Sequence, residues 1–245
     1  ARDHIAARKT HMDHIPYLEE LGNERLLADY ESATAVEDKV FLGYLYEQKK
    51  VYGLDYDDLI TIALHILQTD ESKRVKWQER MMYVMVDEFQ DVSGNQYELA
   101  EILSGYHRNL FIVGDPDQTI YTWRGAKIEY ILNFDAEHED TKTIFLDVNY
   151  RSTPEILAVS NSLIEKNKKR LPNRLVANGG SGARPLYIHS RTTGDEAQWM
   201  TAEIQKLISI GNSYSDIAVL YRSHFVSRSI EEVFIRSKIP YTLYS

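Results

Sequence analysis

Two short apolar runs, MMYVMV (Met81–Val86) and LFIVG (Leu110–Gly114), constrain this chain more than any other feature. Each has the length of a buried strand, and a helix-length segment around Gln96–Leu103 lies between them. A third run, TIFL (Thr143–Leu146), follows a second such segment, Ala126–Phe134. Continuous apolar strands alternating with helices predict a parallel α/β sheet, whose strands are covered on both faces. The first run ends in VDEFQD, which places Asp87, Glu88 and Asp91 within five positions. In open parallel sheets, ligands gather beyond the carboxyl ends of strands, so carboxylates crowded there are placed for a cation. The ordinary alternative is a strand end with solvated carboxylates.

Upstream, from Arg2 to about Arg80, apolar residues recur three and four apart, as in Leu59, Ile60, Ala63, Leu64 and Leu67. This spacing predicts an all-α region. Downstream, STPEILAVSNSLI starts a helix with Thr153 as N-cap and Pro154 at the first helical position. Strands at PLYIH (Pro185–His189), IAVLY (Ile217–Tyr221) and PYTLY (Pro240–Tyr244) then alternate with helices near Asp195–Ile210 and Ser227–Ser237, a second α/β unit. The stretch NGGSGARP between the units reads as a turn-rich loop.

Composition narrows the function classes. The absence of cysteine excludes disulfides, thiolate metal sites and cysteine nucleophiles. A formal net charge of −9 argues against coating nucleic acid by bulk attraction and leaves room for a local groove. No apolar stretch approaches the roughly 20 residues of a membrane span, so the expectation is a cytoplasmic chain with no membrane partner. The basic cluster KNKKRLPNR (Lys166–Arg174) reads as a solvated helix end or a contact to a DNA backbone. His11 and His14 read as surface residues on a helix, with no metal-ligand pairing among the eight histidines.

The second apolar run leads into GDPDQTIYTWRGA (Gly114–Ala126). A Gly-Asp-Pro turn is followed by an amide, Gln118, able to hydrogen-bond a phosphate oxygen or a water. Tyr121 and Trp123 are two apart, so in an extended segment both rings would face one way and could stack on successive bases of a single strand. Two aromatic core anchors are the alternative.

The ordered set VDEFQD, GDPDQTIYTWRGA, NYRSTPEIL (Asn149–Leu157) and VLYRSHFVSRSIEEVF (Val219–Phe234) resembles motifs II, III, IV and a following segment of the UvrD/PcrA/Rep helicases of superfamily 1. LDYDDLI (Leu54–Ile60) is similar to the segment that precedes motif II in those enzymes. The resemblance implies partial RecA-like parallel sheets with an N-terminal all-α insertion. It implies ATP and Mg²⁺ as cofactors, single-stranded DNA and duplex junctions as substrates, and repair proteins as possible partners. By position, Asp87 would bind the metal, Glu88 would act as catalytic base, and Gln118 would sense the γ-phosphate. Tyr121, Trp123 and Arg124 would line the single-stranded DNA path. Tyr150 would stack on the adenine, and Arg151 would reach the γ-phosphate.

The chain also departs from the family pattern. Pro116, Thr119 and Thr122 replace residues of GDDDQSIYGWRGA, and Val92 and Ser93 replace a Thr-Asn continuation; none removes a functional side chain. None of the 12 glycines is followed by lysine, so the phosphate-cradling G-x-x-x-x-G-K-[ST] is absent. The sequence therefore reads as the middle of a helicase. Residues 1–80 would be a helical insertion, 81–148 the second half of the first RecA-like domain, and 149–245 the opening of the second, with a hinge near Asn149–Ser152. Without the P-loop strand, Leu110–Gly114 and Thr143–Leu146 are expected to lack their shared neighbour and leave apolar edges. The function expected of the parent protein is ATP-driven 3′ to 5′ translocation on DNA, with the isolated chain inactive as an ATPase. A non-enzymatic DNA- or repair-partner-binding module and a helicase-nuclease subunit are the alternatives.

Overall fold

The structure, a computed structural model, describes residues 1–244. Six helices form the N-terminal region: α1 (Arg2–Thr10), α2 (Ile15–Glu19), α3 (Glu24–Ser32), α4 (Val36–Lys50), α5 (Tyr56–Thr69) and α6 (Glu71–Arg80). They are followed by β1 (Val84–Val86), α7 (Gly94–Ser104), β2 (Leu110–Ile112), α8 (Glu129–Leu132), α9 (Phe134–Glu137), β3 (Val148–Asn149), α10 (Pro154–Ile164), β4 (Val176–Ala177), α11 (Thr193–Ser209) and α12 (His224–Arg236). The all-α start follows the periodicity, and α10 begins at Pro154 as expected, although the Thr153 hydroxyl forms no cap hydrogen bond.

The chain divides into two compact units, residues 1–152 with 160–179, and residues 153–159 with 180–245. In the first unit, α3 packs on α4 around Leu26, Phe41, Leu42 and Leu45. Helix α5 packs on α1, α6 and α7. Next to this helical region, β1 and β2 pair in parallel, with Val84 opposite Leu110, Met85 opposite Phe111 and Val86 opposite Ile112. One face of this pair joins a core of Phe89, Val92, Tyr97 and Phe134, while Met85 and Phe111 lie exposed on the other. Strands β3 and β4 form a second short parallel pair. In the second unit, α11 and α12 bury Ala197, Ile204, Ile230, Phe234 and Ile239. There the NGGSGARP loop is pinned by Glu155, which accepts hydrogen bonds from the Ser181 hydroxyl and, at 2.8 Å, from the Gly182 amide; these donors hold its carboxyl at about 2.

Several expected strands do not form. Thr143–Leu146, Pro185–His189, Ile217–Tyr221 and Pro240–Tyr244 carry no ladder among the described residues. Ile144, Leu146, Leu186, Tyr187 and Leu220 are exposed. A strand needs a neighbour's backbone to satisfy its N–H and C=O groups, and these segments have none. The two sheets are accordingly small two-stranded parallel pairs, and among the described residues no closed sheet surrounds β2. The segment Ala126–Phe134 is also irregular, with its helical turns split between α8 and α9.

The helical region is organised by a buried cation. Lys9 of α1 is fully buried and donates to Gln48 at 3.1 Å, Asp55 at 2.6 Å and Asp58 at 2.7 Å, tying α1 to α4 and to the N-terminus of α5. Asp55 caps α5 in a reciprocal box with Asp58 and accepts from the Tyr44 hydroxyl. His14, expected at the surface, is fully buried against Thr61 and Asp58. Helical periodicity could not reveal this, because His14 lies between α1 and α2 rather than on a helix face.

Acid should unfold this region in two stages. Burial holds the His14 pKa below its ordinary 6.5, with Lys9 adding to that effect against the opposing pull of Asp58. His14 therefore contributes stability above about pH 6.5 that is lost as pH falls. The Asp55 carboxylate is desolvated, but hydrogen bonds from Lys9 and Tyr44 outweigh this and hold it at about 2. Its contribution is lost between its ordinary 3.8 and that value. Thermal unfolding followed by circular dichroism should show both steps, and His14→Gln should remove only the upper one. Asp58→Ala, which strips a partner from buried Lys9, should cost about 3–5 kcal/mol in denaturant titrations.

Candidate functional site

The loops leaving β1 and β2 meet at their carboxyl ends. After Val86 the chain turns through Asp87 and Glu88 into a single 3₁₀ turn, Phe89–Asp91. Glu88 occupies the left-handed region at φ 51°, ψ 40°. That conformation costs a non-glycine residue about 1–2 kcal/mol. The neighbouring contacts hold it there. Phe89 is fully buried and its N–H donates to Val113 O at 2.9 Å, extending the β1–β2 pairing past the strands. The Asp87 carboxylate accepts from the Glu88 N–H at 2.9 Å. Both Asp87 and Glu88 are exposed.

The second loop is a 3₁₀ turn, Pro116–Gln118, capped by Asp115. One Asp115 oxygen accepts from the Asp117 N–H at 2.9 Å and the other from the Gln118 amide at 2.8 Å. Gln118 is thus folded back onto its own loop. Gln90, 1% exposed, connects the two loops: its Nε2 donates to Glu88 Oε2 at 2.7 Å and its Oε1 accepts from the Asp115 N–H at 3.0 Å. Asp91 adds a second connection, accepting from the Ile120 N–H at 3.3 Å, and a bridge between Ser93 and Ala126 closes the far end.

Tyr121 and Trp123 do not lie in an extended segment. Thr122–Arg124 is a 3₁₀ turn ending at Gly125, whose φ of 89° suits glycine. The rings nonetheless stay together, with centroids 6.2 Å apart. Arg124 covers both, its guanidinium 5.1 Å from the Tyr121 ring and 4.7 Å from the Trp123 ring. Trp123 is 69% exposed, which excludes a core-anchor role for it.

Tyr150 and Arg151 follow β3. Asn149 Oδ1 accepts from the Arg151 and Ser152 N–H groups at 2.9 and 2.7 Å, and this turn presents Tyr150 at 80% exposure. Among the described residues, no hydrogen bond or ion pair joins Arg151 to Glu88 or Gln118. The basic cluster is neither a free helix end nor wholly solvated. Arg170 grips Asp117 through Nε at 3.0 Å and Nη2 at 2.8 Å, and Lys169 pairs with Glu129 at 3.1 Å. Sequence reasoning missed Gln90 altogether, and it did not foresee the bonds that Asp91, Asn149 and Arg170 make. The single available signal was the amide of Gln90 set between Glu88 and Asp91.

With this geometry in view, the comparisons with known proteins agree on one class. Residues 9–139 match the UvrD/REP helicase N-terminal domain and residues 144–245 the UvrD-like helicase C-terminal domain. The chain belongs to the UvrD/REP helicase family. Among curated relatives, it is 40% identical over 204 residues to the ATP-dependent DNA helicase PcrA of Staphylococcus epidermidis, covering 83% of this chain and 28% of that protein. It is 37% identical over 206 residues to PcrA of Leuconostoc citreum, covering 84% of this chain and 28% of that protein. PcrA of Staphylococcus aureus is 39% identical over 204 residues, 83% of this chain and 28% of that protein. The chain thus spans between a quarter and a third of the length of these relatives.

Gly114 is required by the close approach of the two loops. A Cβ there would stand 2.6 Å from Gln90 Oε1, 2.9 Å from Ile131 Cδ1 and 3.1 Å from Phe89 N. Gly114→Ala should therefore destabilise the first unit by about 1–3 kcal/mol, read as a lowered denaturation midpoint.

Proposed function

We propose that this chain is the central segment of an ATP-dependent DNA helicase that moves 3′ to 5′ along single-stranded DNA. The observation that carries the reading is the meeting of an acidic strand end, Asp87-Glu88, with a loop bearing an amide and an aromatic pair, Gln118 and Tyr121/Trp123. It is supported by family membership and by relatives that are ATP-dependent DNA helicases. On this reading, residues 1–80 are a helical insertion in a first RecA-like domain. Residues 81–148 complete that domain, and 149–245 open a second.

The residues fit magnesium and nucleotide in part. Magnesium is commonly held by one or two carboxylates with water and phosphate oxygens, and Asp87 with Glu88 supplies such a set. The phosphate-cradling loop is absent from these 245 residues, so the main phosphate anchor must come from other residues. When bound, magnesium ATP supplies the phosphoanhydride to be cleaved and the cation that offsets its charge. Asp87 would hold the metal through water. Glu88 has one oxygen on Gln90, and the other would take a proton from the attacking water. Gln118 would leave Asp115 for the terminal phosphate, and Arg151 would add positive charge as the phosphoryl group transfers. Tyr150, already exposed, would stack on the adenine. Tyr121, Trp123 and Arg124 would grip single-stranded DNA, with duplex junctions as the substrate and repair proteins as candidate partners.

In the full-length protein, DNA-stimulated ATPase activity should fall at least about 100-fold in Glu88→Gln. The 245-residue chain alone should show no turnover; turnover by it that Glu88→Gln abolishes would overturn the dependence on a separate phosphate loop. Trp123→Ala should weaken single-stranded DNA binding about ten-fold in fluorescence anisotropy, the loss of one base-stacking platform. Unchanged affinity would remove the aromatic pair from the DNA path.

A further inference from the structure

We infer that Gln90 is a positioning residue, which holds the Glu88 carboxylate in register with the Asp115–Gln118 loop. The inference rests on the proposed role of Glu88 and extends it to a buried side chain behind that carboxylate.

Both ends of the Gln90 amide are committed, and chemistry fixes which end faces which loop. The Asp115 N–H can only donate, so the atom facing it at 3.0 Å must be the carbonyl oxygen. With the oxygen committed to Asp115, the amide nitrogen is the atom left to face Glu88 Oε2, to which it donates at 2.7 Å. The side chain is 1% exposed, so water does not compete for either bond. Gly114 packs against the same oxygen so closely that no Cβ fits between them. Beyond Asp115 the connection continues through its carboxylate to the Gln118 amide at 2.8 Å. An unbroken run of hydrogen bonds and covalent bonds therefore leads from Glu88 to Gln118, and Gln90 is the only member contributed from inside the core. Glu88 needs such a tether, because its left-handed backbone is a high-energy state that the surrounding contacts must maintain.

Two substitutions in the full-length protein separate positioning from folding. Gln90→Met keeps volume and removes both hydrogen bonds. Gln90→Glu keeps the acceptor for Asp115 and sets a carboxylate oxygen against Glu88. We expect Gln90→Met to lower the kcat of DNA-stimulated ATP hydrolysis per folded molecule ten-fold or more, with the KM for ATP and the single-stranded DNA affinity close to wild type and the melting temperature lowered by the unpaired Asp115 N–H; in Gln90→Glu the loss should depend on pH, because the new carboxyl can share a proton with Glu88. A wild-type kcat in Gln90→Met would overturn the assignment. So would losses in kcat matched by equal losses in folded fraction, which would make Gln90 a structural residue only. A wild-type protein without ATPase activity would instead overturn the parent reading, and a wild-type enzyme killed by Glu88→Gln but unaffected by Gln90→Met would overturn this one alone.

Discussion

The parallel pairing of Val84–Val86 with Leu110–Ile112 is the constraint on which the candidate site depends. Parallel strands point their carboxyl ends the same way, so two loops that are 25 residues apart, as Gln90 and Asp115 are, emerge side by side. The pairing is short, and by itself three register positions would not hold two polar loops in place. Three further elements do so. The Phe89 N–H extends the ladder to Val113, the Phe89 ring is edge-on to Tyr97 and Phe134, and Gln90 reaches back across to Asp115. Phe89 and Gln90 are adjacent and both buried, one satisfying the apolar core and the other the polar loops. The exposed Asp87 and Glu88 are therefore carried on a well-anchored turn.

Much of this was legible in the sequence, and the failures have physical causes. Local signals succeeded: helical periodicity, the Thr153-Pro154 start and the apolar runs at Val84 and Leu110 correspond to the helices and strands that form. Apolar runs at Thr143, Pro185, Ile217 and Pro240 failed because strand propensity describes a residue's fit to a pleated surface, and the surface itself must come from a neighbour. Val84 and Leu110 supply one another; Ile144 and Leu220 have no such partner among the described residues. The alternation of exposure along β1, with Met85 open and Val84 and Val86 half-buried, marks a sheet covered on one face rather than two.

The candidate residues divide in a similar way. Asp87, Glu88, Gln118, Tyr121, Trp123 and Arg124 carry recognisable side-chain chemistry at recognisable spacing, and the sequence marks them out. Gln90 and Arg170 act through partners 25 and 53 residues away, which no local pattern encodes. The Lys9 network shows the same limit at the level of stability. A lysine in an amphipathic helix reads as solvent-facing, yet Lys9 is buried because Gln48, Asp55 and Asp58 converge on it from two other helices. Removing one partner from such a group costs more than forming the group gains, because the charge left behind is buried and unpaired.

Arg170 gives the loop at Asp115 an unusual dependence. Asp117 projects from the turn Pro116–Gln118, and Arg170 holds it with two nitrogens while a third bond runs from the same guanidinium to Asn173 O at 2.8 Å. Both partners are largely buried, at 17% and 15% side-chain exposure. Both short bonds converge on one oxygen, Asp117 Oδ2, with Oδ1 3.4 Å from Nε, so the charged pair holds the Asp117 carboxylate in place. The loop is thus restrained on one side by Gln90 through Asp115 and on the other by Arg170 through Asp117. Arg170 lies in the region matching the C-terminal family domain, yet residues 160–179 belong to the first compact unit. The turn bearing Gln118 is therefore held in part by a stretch of chain that lies beyond the first family domain.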